Sequence, residues 1–366
     1  MNDNEEIKQE KMQTIIKKID KNCIDREIIM EAGELLKRGE LVAFPTETVY
    51  GLGANALDAE AAAKIYAAKG RPSDNPLIVH IADMESLGMI TAEIPKAAVK
   101  LAERFWPGPL TMVLKKSEIV PYGTTGGLDT VAVRMPSHPI ALEMIRYGGG
   151  YIAAPSANTS GRPSPTLASH VADDMDGIIP MILDGGAVGI GIESTIVDLT
   201  ETVPTILRPG FITKEMLEKV VGEVLIDKGL SADSKTPPKA PGMKYRHYAP
   251  RADLTIVEGP SQAVIEKINT LTKENEKKGI TTGIIGTAET VSLYPSGIVK
   301  SIGTRDDELS ISSHLYSILR EFDESDAEVI YSESFEEGAM GSAIMNRLLK
   351  AAGHKIIYVK PIKTKR

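Results

Sequence analysis

The chain of 366 residues carries a formal net charge of -8, with 42% apolar residues, 25% charged residues and one cysteine. That is the mixture of a globular protein long enough for two domains. A single thiol excludes a disulfide framework and a cysteine zinc cluster, no stretch approaches the roughly 18 unbroken apolar residues of a spanning helix, and the acidic balance argues against coating nucleic acid by bulk charge.

Residues 1–22 are polar and read as a frayed or helical lead-in. Their acidic start has neither the apolar block of a signal peptide nor the character of an organelle presequence, so a cytoplasmic protein is expected. Apolar residues at helical spacing predict a helix from Ile24 to Gly39, with Gly39 as its stop. Leu41–Phe44 reads as a buried strand, Ala59–Ala68 as a helix, Leu77–Ile81 as a strand and Ile94–Phe105 as a helix. Strands are expected at Leu110–Leu114 and Thr130–Arg134, then a helix at Pro139–Tyr147. Further strands follow at Tyr151–Ala154, Ile178–Leu183, Ser194–Leu199 and Thr205–Leu207. Strands that succeed one another directly predict a twisted mixed sheet in an α/β domain over residues 23–227.

Residues 228–250 are proline-rich and aperiodic, a linker or ordered loop. Beyond them strands near 254–257, 283–285, 329–331 and 356–359 alternate with helices near 261–277, 308–321 and 340–352. This predicts a smaller, Rossmann-like parallel α/β domain over residues 251–366.

Three loops could carry chemistry. Pro45–Ala56 follows a strand and offers two threonines, a carboxylate and two glycines in a turn. Its Gly51-x-Gly53-x-x-Ala56 spacing fits a dinucleotide fingerprint only loosely, because Pro45 to Tyr50 intervene after the strand. Lys69-Gly70-Arg71 ends a helix. It is either a solvated cation pair or, fixed by the glycine and neighbouring prolines, a cradle for one polyphosphate. Ala153–Ser164 is dense in small hydrogen-bonding side chains, which suit either a turn or cap or a nucleotide loop. Three polar loops at strand ends in one domain point to a shared cleft. No P-loop, no His-x-x-x-His and no Gly-x-Ser-x-Gly is present. Asp173, Asp174 and Asp176 read as a solvated face, and Cys23 and Trp106 as packing. Read alone, His80 is a core histidine and Arg134 a surface cation.

Taken together, Thr46-Glu47-Thr48-Val49-Tyr50-Gly51-Leu52-Gly53, Lys69-x-Arg71 and Ser156-x-Asn158 resemble the motifs of the YrdC-like domain. Ser194–Asp198 and Leu207–Gly210 extend the match. Pro241–Pro250 resembles the linker of the two-domain members, and Met345-Asn346-Arg347-Leu348 continues the likeness beyond it. The family resembled is that of threonylcarbamoyl-adenylate synthases. The resemblance implies that L-threonine, bicarbonate or CO2, and ATP become threonylcarbamoyl-AMP and diphosphate, the donor for modifying adenosine 37 in tRNAs that read codons starting with A. It implies Lys69 and Arg71 as the catalytic pair. ATP contacts would be Lys69, Arg71, Asn75, Thr130, Ser156, Asn158, Ser164 and Arg208, with Tyr245 and His247 from the linker. The threonine pocket would be Thr48, His80, Arg134, Ala154 and Ser194. Mg2+ is expected on the phosphates, with no dedicated protein metal site. The partners implied are the substrates and a downstream threonylcarbamoyl transferase complex, with weak tRNA or double-stranded RNA binding as an added capacity and no membrane. A double-stranded RNA or tRNA module without adenylate synthesis is the alternative. A carbamoyltransferase of hydrogenase maturation is disfavoured by the missing cysteine-rich zinc modules.

Overall fold

A computed structural model describes residues 12–227, 248–335 and 338–361. The N-terminal part runs β1 (Ile15–Lys18), α1 (Arg26–Lys37), β2 (Val42–Phe44), β3 (Gly51–Asn55), α2 (Ala59–Lys69), β4 (Ile78–His80), α3 (Met84–Ile90), α4 (Lys96–Phe105) and β5 (Leu110–Lys115). It continues through α5 (Tyr122–Thr125), β6 (Thr130–Arg134), α6 (Pro139–Tyr147), β7 (Ile152–Ala153), α7 (Ala168–Met175), β8 (Met181–Asp184), β9 (Thr195–Asp198), β10 (Thr205–Arg208), α8 (Lys214–Val221) and β11 (Leu225–Ile226). Local chemistry sets several boundaries. The Asp25 carboxylate accepts from the Glu27 and Ile28 amides to start α1, and Asp58 does the same for α2. Gly70 ends α2 in the left-handed conformation.

Among the described residues these strands form one eleven-stranded sheet in the order β1-β8-β2-β3-β7-β4-β6-β5-β9-β10-β11. It is mixed, as expected: β4 runs parallel to β6, while β7 lies antiparallel to both β3 and β4. Two segments depart from the sequence reading. Ile15–Lys18, expected in a frayed or helical lead-in, is an edge strand parallel to β8. Its side chains are mostly exposed, so no apolar pattern announces it. Gly51–Asn55, expected as a turn, is a strand antiparallel to β2. Glycine and alanine carry little strand propensity, and burial on the sheet overrides it.

Period-two alternation divides the sheet into two faces. Val79, Ile81, Val131, Val133 and Met112 join the large core that also holds Ile65, Leu101 and Leu217 of the covering helices. Ile78, Val113, Ala132, Ile196 and Leu207 form a small apolar patch on the other face. His80 and Arg134 share the face of Ile78 and Ala132, and face each other across the β4–β6 pair.

The C-terminal part comprises β12 (Asp253–Glu258), α9 (Ser261–Glu276), β13 (Thr282–Gly286), β14 (Ile298–Ser301), α10 (Glu308–Asp323), β15 (Val329–Glu333), α11 (Gly341–Ala351) and β16 (Ile356–Tyr358). Its parallel sheet has the order β14-β13-β15-β12-β16. Residues of α9 pack on one face and residues of α10 and α11 on the other. The expected parallel, layered plan is present, but the Rossmann-like part of the expectation goes no further. In that fold the first strand lies next to the second, whereas here β15 separates β12 from β13.

The two parts share a buried interface. Val49 and Ile192 belong to the same apolar cluster as Tyr316, Leu319 and Ile344. Gly191 lets the chain pass α10 at close range. Its φ is +82°, and a Cβ there would meet the Ser312 carbonyl oxygen at 2.4 Å. No described helix is long and apolar enough to cross a membrane.

Candidate active site

The face bearing His80 and Arg134 opens into a cavity of about 700 Å³, counting its mouth. Loops from distant parts of the chain form its rim: Thr46–Val49 after β2, Lys69 and Arg71 at the end of α2, Ala154–Asn158 after β7, and Glu193–Ser194 before β9. Arg208 at the end of β10 and Tyr248 complete it.

All five residues expected around threonine line this cavity: Thr48, His80, Arg134, Ala154 and Ser194. Thr48 is held by the Thr46 hydroxyl, 2.9 Å from its own and 3.1 Å from its amide. His80 Nδ1 lies 3.1 Å from the Ile78 carbonyl oxygen, and its ring meets Phe44 edge-on at 6.1 Å. Burial, with help from the Arg134 charge, pushes the His80 pKa down to about 3, so the ring is neutral near pH 7. Arg134 is buried and in ion-pair contact with Glu47. The Ser194 hydroxyl lies 2.8 Å from that of Thr111 and accepts from Arg208 Nη2 at 3.1 Å.

Of the residues expected around ATP, Lys69, Arg71, Ser156, Asn158 and Arg208 line the same cavity. Lys69 Nζ donates to the carbonyls of Ser156, at 2.6 Å, and Asn158. Burial, and then Arg71, hold its pKa well below the ordinary lysine value. Ser156 donates to Asn158 Oδ1 at 2.5 Å, while the Asn158 amide group donates to the carbonyls of Thr159 and Arg162. The Lys69 and Ser156-x-Asn158 motifs are therefore one hydrogen-bonded unit. Arg71 donates to the carbonyls of Asn75 and Pro76, and burial lowers its pKa to about 10.

Three expected residues stand off the lining. Asn75 is buried beside Arg71, its Oδ1 without a hydrogen bond. Ser164 is buried and donates to Glu193 at 2.6 Å. Thr130 begins β6, four residues from Arg134 and so about 13 Å away at the usual strand rise of about 3.3 Å per residue. Tyr245 and His247 lie outside the described residues.

Other residues of the site were not singled out by the sequence. Tyr248 lines the cavity, with its ring 5.0 Å from that of Tyr316 on α10. It belongs to the linker motif, which was the available signal. Glu193 also lines the cavity and stands immediately before Ser194. Burial alone would raise its pKa, but Arg347, Arg208 and the Ser164 hydroxyl hold it down to about 2. Asp174, expected on a solvated face, is instead buried. It accepts from the Thr159 amide at 3.2 Å, from Arg162, and from Arg320 of α10 at 2.8 Å. A buried carboxylate with cationic partners is the arrangement that low dielectric requires, and those partners come from parts of the chain that no local pattern connects.

Comparison with known proteins places the chain in a family. Residues 34–210 match the Sua5/YciO/YrdC family model described as telomere recombination, and residues 212–353 match the model of the threonylcarbamoyl-AMP synthase C-terminal domain. A threonylcarbamoyl-AMP synthase of Pyrococcus abyssi is 51% identical over 346 residues, covering 94% of this chain and 100% of that one. The Bacillus subtilis synthase is 52% identical over 330 residues, covering 90% of this chain and 94% of its own. The crystal structure of Pyrococcus abyssi Sua5 complexed with L-threonine superposes with a TM-score of 0.90 at 50% identity, covering 95% of this chain and 100% of that one. The α/β fold and these relatives define an enzyme that makes an adenylate. The chain belongs to the threonylcarbamoyl-AMP synthase family.

Proposed function

We propose that this cavity is where the chain joins L-threonine, bicarbonate or CO2, and ATP. The threonine amine bonds to the CO2 carbon and loses a proton, giving a carbamate. A carbamate oxygen then attacks the α-phosphorus of ATP, and the bridging oxygen departs with diphosphate. The product, threonylcarbamoyl-AMP, serves the modification of adenosine 37 in tRNA. Such a reaction asks the protein to align two anions and neutralise developing charge, with little covalent work.

In this reading Arg134 takes the threonine carboxylate, a planar fork on a planar anion. Thr48, neutral His80, the Ala154 segment and Ser194 surround the rest of the amino acid. Lys69, Arg71 and Arg208 offset the phosphate charge, with Ser156, Asn158, Asn75, Ser164 and Thr130 as further nucleotide contacts. ATP enters as its magnesium complex. Among the described residues no group of three or more His, Cys, Asp or Glu side chains is placed to hold a metal ion, and the cavity's charged lining is chiefly cationic, which suits an ion carried by the phosphates. The linker 228–250, whose last residues include Tyr248 in the cavity wall, shields the mixed anhydride from water, and Tyr245 and His247 extend that cover. The adenylate passes to a threonylcarbamoyl transferase complex in the cytoplasm, and tRNA contact is weak.

The observation that carries this reading is the convergence of Lys69, Arg71 and Arg208 with Arg134 and neutral His80 on one cavity. The test is diphosphate release from ATP with threonine and bicarbonate each omitted in turn. Release should need both, and full release without threonine would overturn the reading.

A further inference from the structure

Arg347 is among the largest fully buried side chains of the described residues, and it reaches out of the C-terminal domain. From α11 its Nε donates to Glu193 Oε2 at 3.1 Å, and its Nη2 donates to the Glu193 carbonyl oxygen at 3.1 Å. Its Nη1 donates to the Pro209 carbonyl. Glu193 lines the cavity and also accepts from Ser164 at 2.6 Å and from the Tyr316 hydroxyl at 3.0 and 2.9 Å. Glu193 precedes Ser194, and Pro209 follows Arg208. Arg208 in turn donates to the Ser194 carbonyl and hydroxyl oxygens, at 3.0 and 3.1 Å.

One rigid guanidinium therefore spans the two segments that bring Ser194 and Arg208 to the site. A fork with fixed donor directions can hold two backbone segments at a set separation, and a lysine ammonium, a single point charge, cannot. On the placement of the reaction given above, Ser194 belongs to the threonine side and Arg208 to the nucleotide side. We propose that Arg347 is a positioning residue for adenylate formation, setting the approach of the threonine carbamate to the α-phosphorus through Glu193 and the Pro209 carbonyl. The C-terminal domain then braces the catalytic cavity through Glu193 and the Pro209 carbonyl, although none of its described residues lines the cavity.

Each substrate keeps its own contacts when this brace is loosened, so the loss falls on kcat and not on KM. Arg347→Lys in the full chain should lower kcat for diphosphate release by about 30- to 100-fold, the scale of an error of about 1 Å in alignment. The KM values for threonine and ATP should stay within about threefold. Tyr316→Phe removes one hydroxyl from Glu193 and keeps the packed ring; it should lower kcat about fivefold, again with KM kept. A brace that served folding alone would lower the melting temperature and leave kcat per folded molecule unchanged. If Tyr316→Phe and every folded Arg347→Lys preparation keep kcat within twofold of wild type, or if their losses are confined to KM, the inference is overturned. Lys69→Ala, run alongside, separates the two levels of the argument. Full turnover in that variant sinks the placement of the reaction, whereas an inactive Lys69→Ala beside an intact Arg347→Lys sinks only the role given to Arg347.

Discussion

Arg134 Nη2 and Glu47 Oε1 stand 2.7 Å apart, with Arg134 in the cavity wall and Glu47 outside its lining. The contact is an ion pair without hydrogen-bond alignment: both Glu47 oxygens and Arg134 Nε and Nη2 lack an aligned partner. The guanidinium is thus charge-paired with Glu47 and keeps donors for a second carboxylate. Arg134→Lys should raise the threonine KM by about 10- to 100-fold and leave the ATP KM within about threefold, because a point charge cannot replace bidentate recognition. Glu47→Gln should act in the same direction and less strongly. Steady-state diphosphate release against threonine concentration reads both, and an unmoved threonine KM in Arg134→Lys would remove this residue from carboxylate binding.

Lys69 and Arg71 are held by backbone carbonyls of two different loops. Their donor groups are thereby held in place before the nucleotide arrives, the preorganisation that electrostatic catalysis exploits. Lys69→Ala or Arg71→Ala should each lower threonine-dependent adenylate formation about 100-fold or more. Near-wild-type turnover in either variant would contradict the phosphate cradle.

The contact between Asp174 and Arg320 joins the two domains beneath the Ser156-x-Asn158 loop. Both side chains are almost wholly buried, and Arg320 also donates to the Pro163 carbonyl at 2.6 Å. Arg320→Ala should cost stability near the low end of the roughly 3–5 kcal/mol seen when one partner of a buried pair is removed, because Arg162 stays with Asp174. Lys355→Ala breaks an exposed pair with Asp253 and should change stability by no more than about 1 kcal/mol. Urea unfolding followed by circular dichroism measures both, and equal effects would contradict this ranking.

Acid should destabilise the fold through several buried groups whose shifts act in the same sense, His80, His170 and Glu193 among them. His80 drops from an ordinary 6.5 to about 3. Between those values the unfolded chain binds the proton and the folded one does not, so stability falls as pH falls from 6.5 toward 3. Glu193 drops from 4.5 to about 2, so its contribution is present above pH 4.5 and is lost on acidification toward 2. His80→Gln should flatten the upper part of this decline, between about pH 6.5 and 4.5. Unfolding free energies measured across that range would show it, and identical slopes in both proteins would exclude His80 as a source.

Much of the catalytic half was legible in the chain itself. Apolar runs marked β4 and β6, helical spacing and Gly39 marked α1, and the motifs around Thr48, Lys69 and Ser156 stand in the chain as short contiguous runs. Those signals are local, encoded within one or two turns of helix or a single strand. The edge strand β1 and the glycine-bearing β3 were hidden because sheet pairing, and not their own side chains, decides their conformation. The buried state of Asp174 was hidden for a related reason, since its cations Arg162 and Arg320 come from a loop and from a helix of the other domain.

The order of residues by itself determined which groups are available: a lysine and arginine at one helix end, a histidine and an arginine on two separate strands, and a hydroxyl-rich turn. Only the tertiary structure decided that Glu193 would stand between Ser164, Tyr316 and Arg347, and that the C-terminal domain would brace the catalytic cavity. A carboxylate in low dielectric must find cations and donors wherever the folded chain delivers them, and that choice is made by packing across more than a hundred residues of sequence separation.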